Sequence, residues 1–196
     1  MVYLDGGWKD GSVIETTKGI SVSSAKHAVF VRVVGRGTFQ NGQPLRRYSV
    51  ERIEQGCGEF FVDLAKCDGM DSTFLGVLAG IGLRLQQNGR TGKLHVINVS
   101  ARNMELLQTL GLDRLFGVDE PAAELGDAQP PADTEFKRLP DTDVSALTKP
   151  LNKNDTADLM LEAHDNLVRA DQRNAPRFRD LRKFLRESVE KPKSND

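Results

Sequence analysis

The chain has little of what usually carries chemistry. Only two cysteines and three histidines occur in 196 residues. Cys57 and Cys67 stand at the two ends of a strand-like run. An extended strand, at about 3.3 Å per residue, holds them roughly 30 Å apart, whereas a disulfide needs Cα atoms within about 7 Å. No internal bridge is expected. Neither cysteine has a Cys-x-x-Cys or histidine-partner spacing, so no metal site is expected either. His95 lies in a strand-like run and reads as a satisfied strand histidine, while His27 and His164 stand alone. No nucleophile with a base and an orienting acid can be assembled around any of them. Gly35-Arg36-Gly37 lacks both the Walker lysine and a complete Gly-x-Gly-x-x-Gly, so nucleotide binding is not expected. The reading is of a non-enzyme without a cofactor.

Charge of one sign is also lacking. The chain has 27 basic and 28 acidic residues, for a net charge of −1. Nothing in that balance points to nucleic acid or to an acidic membrane surface. No apolar run approaches the roughly 20 residues that span a bilayer. The first residues, Met1 to Gly7, lack the basic-then-apolar order of a signal peptide. A soluble, cytoplasmic protein without membrane insertion is expected.

What is present is organised around one stretch, Cys67-Asp68-Gly69-Met70-Asp71-Ser72-Thr73-Phe74-Leu75-Gly76. It separates an apolar strand-like run, Phe60 to Ala65, from a helical run ending near Asn88. A turn that opens a helix places Asp, Ser and Thr at the helix's free N–H groups. The same end carries a partial positive charge that favours an anion. Ser72 is therefore placed either as a plain cap or as the carrier of a phosphate.

Other elements flank this stretch. Gly19 to Ser24 and Ala28 to Val34 read as strands, the second rich in β-branched residues. Gly35-Arg36-Gly37 reads as the end of the second strand, and Asn41-Gly42 as a further break. Pro44 suits a helix's first turn, and Leu45, Tyr48, Val50 and Ile53 give a stripe running to Gly56. Asp63, inside the apolar run, needs a partner. Leu75, Leu78, Ile81 and Leu85 share one helix face, which Gly76, Gly80 and Gly82 interrupt at about 0.5–1 kcal/mol each. Close packing of that helix would account for them. Asn88-Gly89 is a stop, Leu94 to Val99 a strand, Ser100 a helix cap and Gly111 a helix end. A last short strand is expected near Leu115-Phe116.

In order and spacing, Phe60 to Ala65, Met70 to Thr73, Leu75 to Leu78, Gly92 to Ser100 and Leu107 to Phe116 resemble the STAS domain of bacterial anti-sigma factor antagonists. The resemblance covers roughly residues 18–118. It implies an α/β fold with a mixed β-sheet and helices packed on it. It also implies a regulator in a partner-switching pathway of transcription control. In that family a serine after an aspartate at the helix start is phosphorylated by a serine kinase that doubles as the anti-sigma factor, and a phosphatase restores it. That serine maps onto Ser72, with Thr73 as the alternative. Asp71, Ser72, Thr73, Phe74 and Thr38 map onto the partner-binding surface. Two positions depart from the pattern: Phe74 stands where a glycine is common, and Gly35-Arg36-Gly37-Thr38 replaces Gly-Glu-Leu-Asp. The alternative is a structural STAS module that docks a larger assembly, such as a lipid-transport ATPase, with Ser72 as a cap.

Outside this domain the character of the chain changes. Residues 1–17 form an N-terminal lead, either flexible or a small hairpin. Residues 119–150 read as an acidic, proline-rich linker. Its part from 119 to 143 holds four of the eight prolines and eight acidic against two basic residues. Residues 151–196 read as a helical tail. Leu159, Met160, Ala163, Leu167 and Ala170 form one stripe, and Phe178, Leu181 and Leu185 another, with a break at Asn174-Ala175-Pro176. Short helices need a surface to bury such stripes. The domain, a partner or a second copy of the chain, giving a homodimer through the C-terminal helices, would each provide one.

Overall fold

A computed structural model describes residues 18–25, 27–87, 91–118, 130, 135–139 and 153–190. The lead 1–17, the Asn88-Gly89 stop and most of the linker lie outside these residues. The first two strands, β1 (Gly19–Ala25) and β2 (Ala28–Gly37), form an antiparallel pair. Helix α1 (Phe39–Glu54) leads to the long β3 (Glu59–Met70), and α2 (Ser72–Leu85) to β4 (Lys93–Ile97). Then come α3 (Ala101–Thr109), a 3-10 turn, and two-residue strands β5 (Gly117–Val118) and β6 (Lys137–Arg138). The tail is α4 (Lys153–Ala170) and α5 (Ala175–Glu190), joined by the 3-10 turn Gln172–Asn174. The six strands make one mixed sheet in the order β5-β4-β3-β2-β1-β6, in which β2 to β5 run parallel.

Alternation along the strands decides the two faces. Val29, Val31 and Val33, then Phe60, Val62 and Leu64, then Leu94 and Val96 face the helices and join Leu45, Phe74, Leu78, Leu85 and Leu107 in one core. On the other face Phe30 stacks on Phe61 and Phe61 on His95, with centroids 5.5 and 4.8 Å apart. Phe136 packs beneath that face, and the Arg32 guanidinium lies over its ring at 4.2 Å. Residues 135–139, within the stretch read as linker, thus follow β1 as β6.

Several boundaries differ from the sequence reading. β2 does not end at Val34; it continues through the glycines to Gly37, with register shifts and a positive φ of 81° at Gly35. Asn41-Gly42 is not a break but lies in the first turns of α1. There the Asn41 side chain accepts from Thr38 N (2.8 Å) and donates to the Arg36 carbonyl (3.0 Å). Pro44 falls one turn later than expected, inside α1. β3 runs to Met70, so the turn before α2 is Asp71 alone. The strand expected near Leu115-Phe116 is β5, two residues further on, and it is not the last, since β6 follows it.

The strand expected over Leu94 to Val99 ends at Ile97, while Asp63, His95, Ser100 and Gly111 take the places read for them. Cys57 and Cys67 are free and buried. Asp63 is satisfied by Ala65 N and by Asn98 Nδ2. His95 pairs with Glu59 at 2.7 Å. Ser100 accepts from Asn103 N, and Gly111, at φ 69°, adopts the left-handed conformation that closes α3.

Candidate functional site

The carboxyl ends of the neighbouring parallel strands β2 and β3 set two helix N-termini side by side. Asp71 serves both. Its Oδ1 accepts from Phe74 N of α2 at 2.8 Å, and its Oδ2 accepts from Phe39 N of α1 at 2.9 Å. The Asp71 N–H donates to the Gly37 carbonyl at 3.0 Å. Asp71, not Ser72, is therefore the cap of α2, and Ser72 is that helix's first residue. The plain-cap reading of Ser72 is thereby corrected: its hydroxyl is left for another role. Thr38 is the residue before α1, beside Asp71.

The other two mapped residues turn inward. Phe74 is fully buried and Thr73 is 5 % exposed. A methyl group at Gly37 would stand 2.5 Å from the Phe74 ring, so the Phe74 ring fills the space that the glycines of β2 and α1 leave open. Phe74 belongs to the core and presents no apolar contact to a partner, contrary to the expectation from sequence. The polar edge of the site consists of Thr38, Asp71 and Ser72.

One residue that the sequence reading left isolated joins them. His164, 92 residues away on α4, places Nε2 3.1 Å from Ser72 Oγ. Its Nδ1 lies 2.6 Å from the Met160 carbonyl. A carbonyl only accepts, so Nδ1 carries the proton, Nε2 is the acceptor, and the Ser72 hydroxyl donates to it. Burial lowers the His164 pKa and keeps the ring neutral; the Met160 carbonyl, Asp71 and Asp165 oppose that shift, while Arg182 adds to it. The Phe178 ring packs on the imidazole in a T-shaped arrangement, with centroids 4.8 Å apart. A serine on a neutral imidazole resembles a nucleophile with its base. Here, however, a backbone carbonyl takes the place of the orienting carboxylate.

The tail packs over this corner. Ser72, Gly76, Gly80 and Arg84 recur every four residues and so form one ridge of α2. A methyl at Gly76 would stand 2.3 Å from the Ala163 carbonyl oxygen, and one at Gly80 2.5 Å from Asn166 Nδ2. These glycines admit α4, whereas Gly82 admits Phe116 and Leu115. Glu162 bridges Arg46 of α1 and Arg84 of α2, at 2.5 and 3.2 Å. At the far end Asn174 Nδ2 donates to the Leu110 and Leu167 carbonyls, both at 2.9 Å. Asp171 pairs with Arg114 and Arg173, and the hydrogen bonds from Arg173 hold its carboxyl down at about 2. Leu159, Leu167, Phe178 and Leu185 are buried, but Leu181, expected in the second stripe, is 40 % exposed and Phe184 64 %. The signal for this contact was the four-residue spacing from Ser72 to Arg84. No short-range pattern in the chain announced His164.

Among the described residues no group of three or more His, Cys, Asp and Glu side chains is placed to hold a metal, and no helix is long and apolar enough to cross a membrane.

Several known proteins are similar to this chain. Solved structures include the anti-sigma factor antagonist SpoIIAA in its unphosphorylated form, at 19% identity and a TM-score of 0.48, covering 56% of this chain and 94% of that one. The phosphorylated form of SpoIIAA, the Bacillus cell fate determinant, matches at 19% identity and a TM-score of 0.46, covering 56% and 97%. The Thermotoga maritima protein tm1081 matches at 16% and 0.48, covering 55% and 92%. No curated protein matches the chain. The family described as "Mlab, STAS domain" matches residues 20–117, half of the 196 residues and all of the sheet from β1 to the start of β5. The chain belongs to the STAS domain family.

Proposed function

We propose that the protein is a phosphorylation-switched binding regulator, an anti-sigma factor antagonist in a partner-switching pathway, and that Ser72 carries the phosphate. The observation that supports this reading is the Asp71 carboxylate capping two helices while the adjacent Ser72 hydroxyl is not used as a cap. A protein serine kinase would transfer the terminal phosphoryl group of a nucleoside triphosphate to Ser72 Oγ, releasing the diphosphate and the hydroxyl proton. Helix N-termini tolerate the added anion within the protein. The roughly −1.5 to −2 charge then acts on the partner surface. Thr73, being buried, is a poor acceptor beside it. The partners on this reading are an anti-sigma factor kinase and a phosphatase, acting in the cytoplasm, with no catalytic turnover by this chain.

Mass spectrometry of protein recovered from its own cells tests the reading, together with binding of Ser72→Ala and Ser72→Asp chains to the proteins that co-purify. Phosphate on Ser72 and weaker binding by the modified chain are expected. Absence of phosphate, or equal affinity with and without it, would overturn the switch and favour a structural module that docks a larger assembly.

A further inference from the structure

We infer that the α4–α5 hairpin is a resident occupant of the surface that carries Ser72, so that a phosphate on Ser72 and a docked hairpin exclude one another. This rests on the reading of Ser72 as a modification site and adds how access to it is regulated. The contact distance is the first reason. Ser72 Oγ and His164 Nε2 are 3.1 Å apart, which is filled by one hydrogen bond. A phosphorus atom and three further oxygens on that Oγ need the space that the imidazole occupies. The ring has little room to retreat, because the Met160 carbonyl holds Nδ1 at 2.6 Å and the Phe178 ring lies at 4.8 Å.

The charges around the ring give the second reason. Asp71 and Asp165 are the acids beside His164, and Arg182 is the cation. Arg182 is held by Asp165 at 2.5 Å. A dianion on Ser72 adjoins the Asp71 carboxylate, a like charge, while Asp165 already holds Arg182 and Arg186 and leaves neither free to receive it.

The build of the joint is the third reason. α4 approaches α2 through Gly76 and Gly80, where Ala163 and Asn166 leave no room for a methyl. The rim is polar: Asn166 Nδ2 reaches the Gly76 carbonyl at 3.4 Å, and Glu162 bridges Arg46 and Arg84. The same helix adds Leu159 and Leu167 to the core, so α4 leaves the ridge as a unit. Displacing His164 therefore lifts α4 from the ridge and uncovers Gly76, Gly80, Arg46 and Arg84. By reciprocity, a hairpin that stays docked keeps a kinase from Ser72.

The test uses the full chain with phosphoserine incorporated at position 72 during translation, compared with the unmodified chain by amide hydrogen exchange. Amides of α4 and α5 should exchange at least about tenfold faster, while β2, β3 and β4 keep their protection. Unchanged protection of α4 overturns the inference. A Gly76→Ala chain reaches the same end without touching Ser72, since its methyl pushes on the Ala163 carbonyl. Should the phosphoserine chain lose protection in the strands too, Gly76→Ala decides: a released hairpin over an intact sheet supports the inference, and a docked one overturns it. Both arms are independent of whether cells phosphorylate Ser72, so a failure here is distinct from a failure of the proposed function.

Discussion

The side of α2 that faces the sheet and the side that faces α4 use different chemistry. Toward the sheet, Phe74, Leu78 and Leu85 are completely buried among Val31, Phe60 and Val62. Toward α4 the ridge is Ser72, Gly76, Gly80 and Arg84, met by His164, Ala163, Asn166 and Glu162. Large apolar side chains gain stability in proportion to buried area and tolerate no separation. Small and polar residues gain less, and both partners can return to water with their hydrogen bonds replaced. The tail adds Leu159, Leu167 and Phe178 to the same core, and on the inference above its contact along the Ser72 ridge is the separable one. The residue proposed to carry the phosphate lies on the separable side.

Substitutions that break either side should separate the two regions. The largest effect is expected on the sheet side. Phe74→Ala should cost about 3–5 kcal/mol, by removing a buried ring and leaving a cavity between α1 and α2. Denaturant unfolding should then show the whole domain, not the tail alone, losing stability. Gly76→Ala should cost about 1–3 kcal/mol through overpacking against the Ala163 carbonyl. That loss should appear in α4 and α5 only, read by proteolysis within residues 153–190. Asn174→Ala removes the donor to two carbonyls and should cost about 1–3 kcal/mol, since the Leu110 and Leu167 carbonyl oxygens are then buried with one partner fewer. Its loss should likewise be confined to the hairpin.

The smaller effects sharpen the comparison at the site itself. Ser72→Ala should cost only about 0.5–1.5 kcal/mol, the value of one hydrogen bond, because Asp71 keeps the cap. By the same logic Asp71→Ala should cost more than Ser72→Ala, which thermal unfolding of the two variants would show.

The smallest effect concerns pH. Burial lowers the His164 pKa below its ordinary 6.5. Between the lowered value and 6.5 the undocked chain binds a proton that the docked ring refuses. Docking is thus fully stabilised above about pH 6.5 and weakens as pH falls below it. Exchange of α4 amides at pH 7.5 and 5.5, corrected for intrinsic rates, would check the sign.

Much of the sheet-side architecture was legible because it is local. The β-branched run Ala28 to Val34, the apolar run Phe60 to Ala65 and the spacing of Leu75, Leu78 and Leu85 each specify an element within a few residues. The glycine-rich stretches were harder to place. Gly35 to Gly37 reads as a turn by propensity, yet pairing with β3 holds it in the strand. Asn41-Gly42 reads as a break, yet Asn41 takes up the free groups around Thr38 and lets α1 begin early. The site was half legible. Asp71 and Ser72 declare themselves by type and position at a helix start. Phe74 was misjudged because its burial depends on the glycines of β2 and α1, which lie far from it in sequence. His164 was missed because only the docking of the tail brings it to Ser72. No spacing rule spans 92 residues.

Site-resolved amide exchange on the unmodified full chain addresses the separation of the two sides most directly. α4 and α5 should open with a distinctly smaller free energy than β2, β3 and the sheet-facing turns of α2, as a unit that unfolds first. Should α4 amides open only with the strands, at the same global free energy and the same denaturant dependence, the hairpin would be part of the permanent core and the Ser72 side of α2 would have no separable contact.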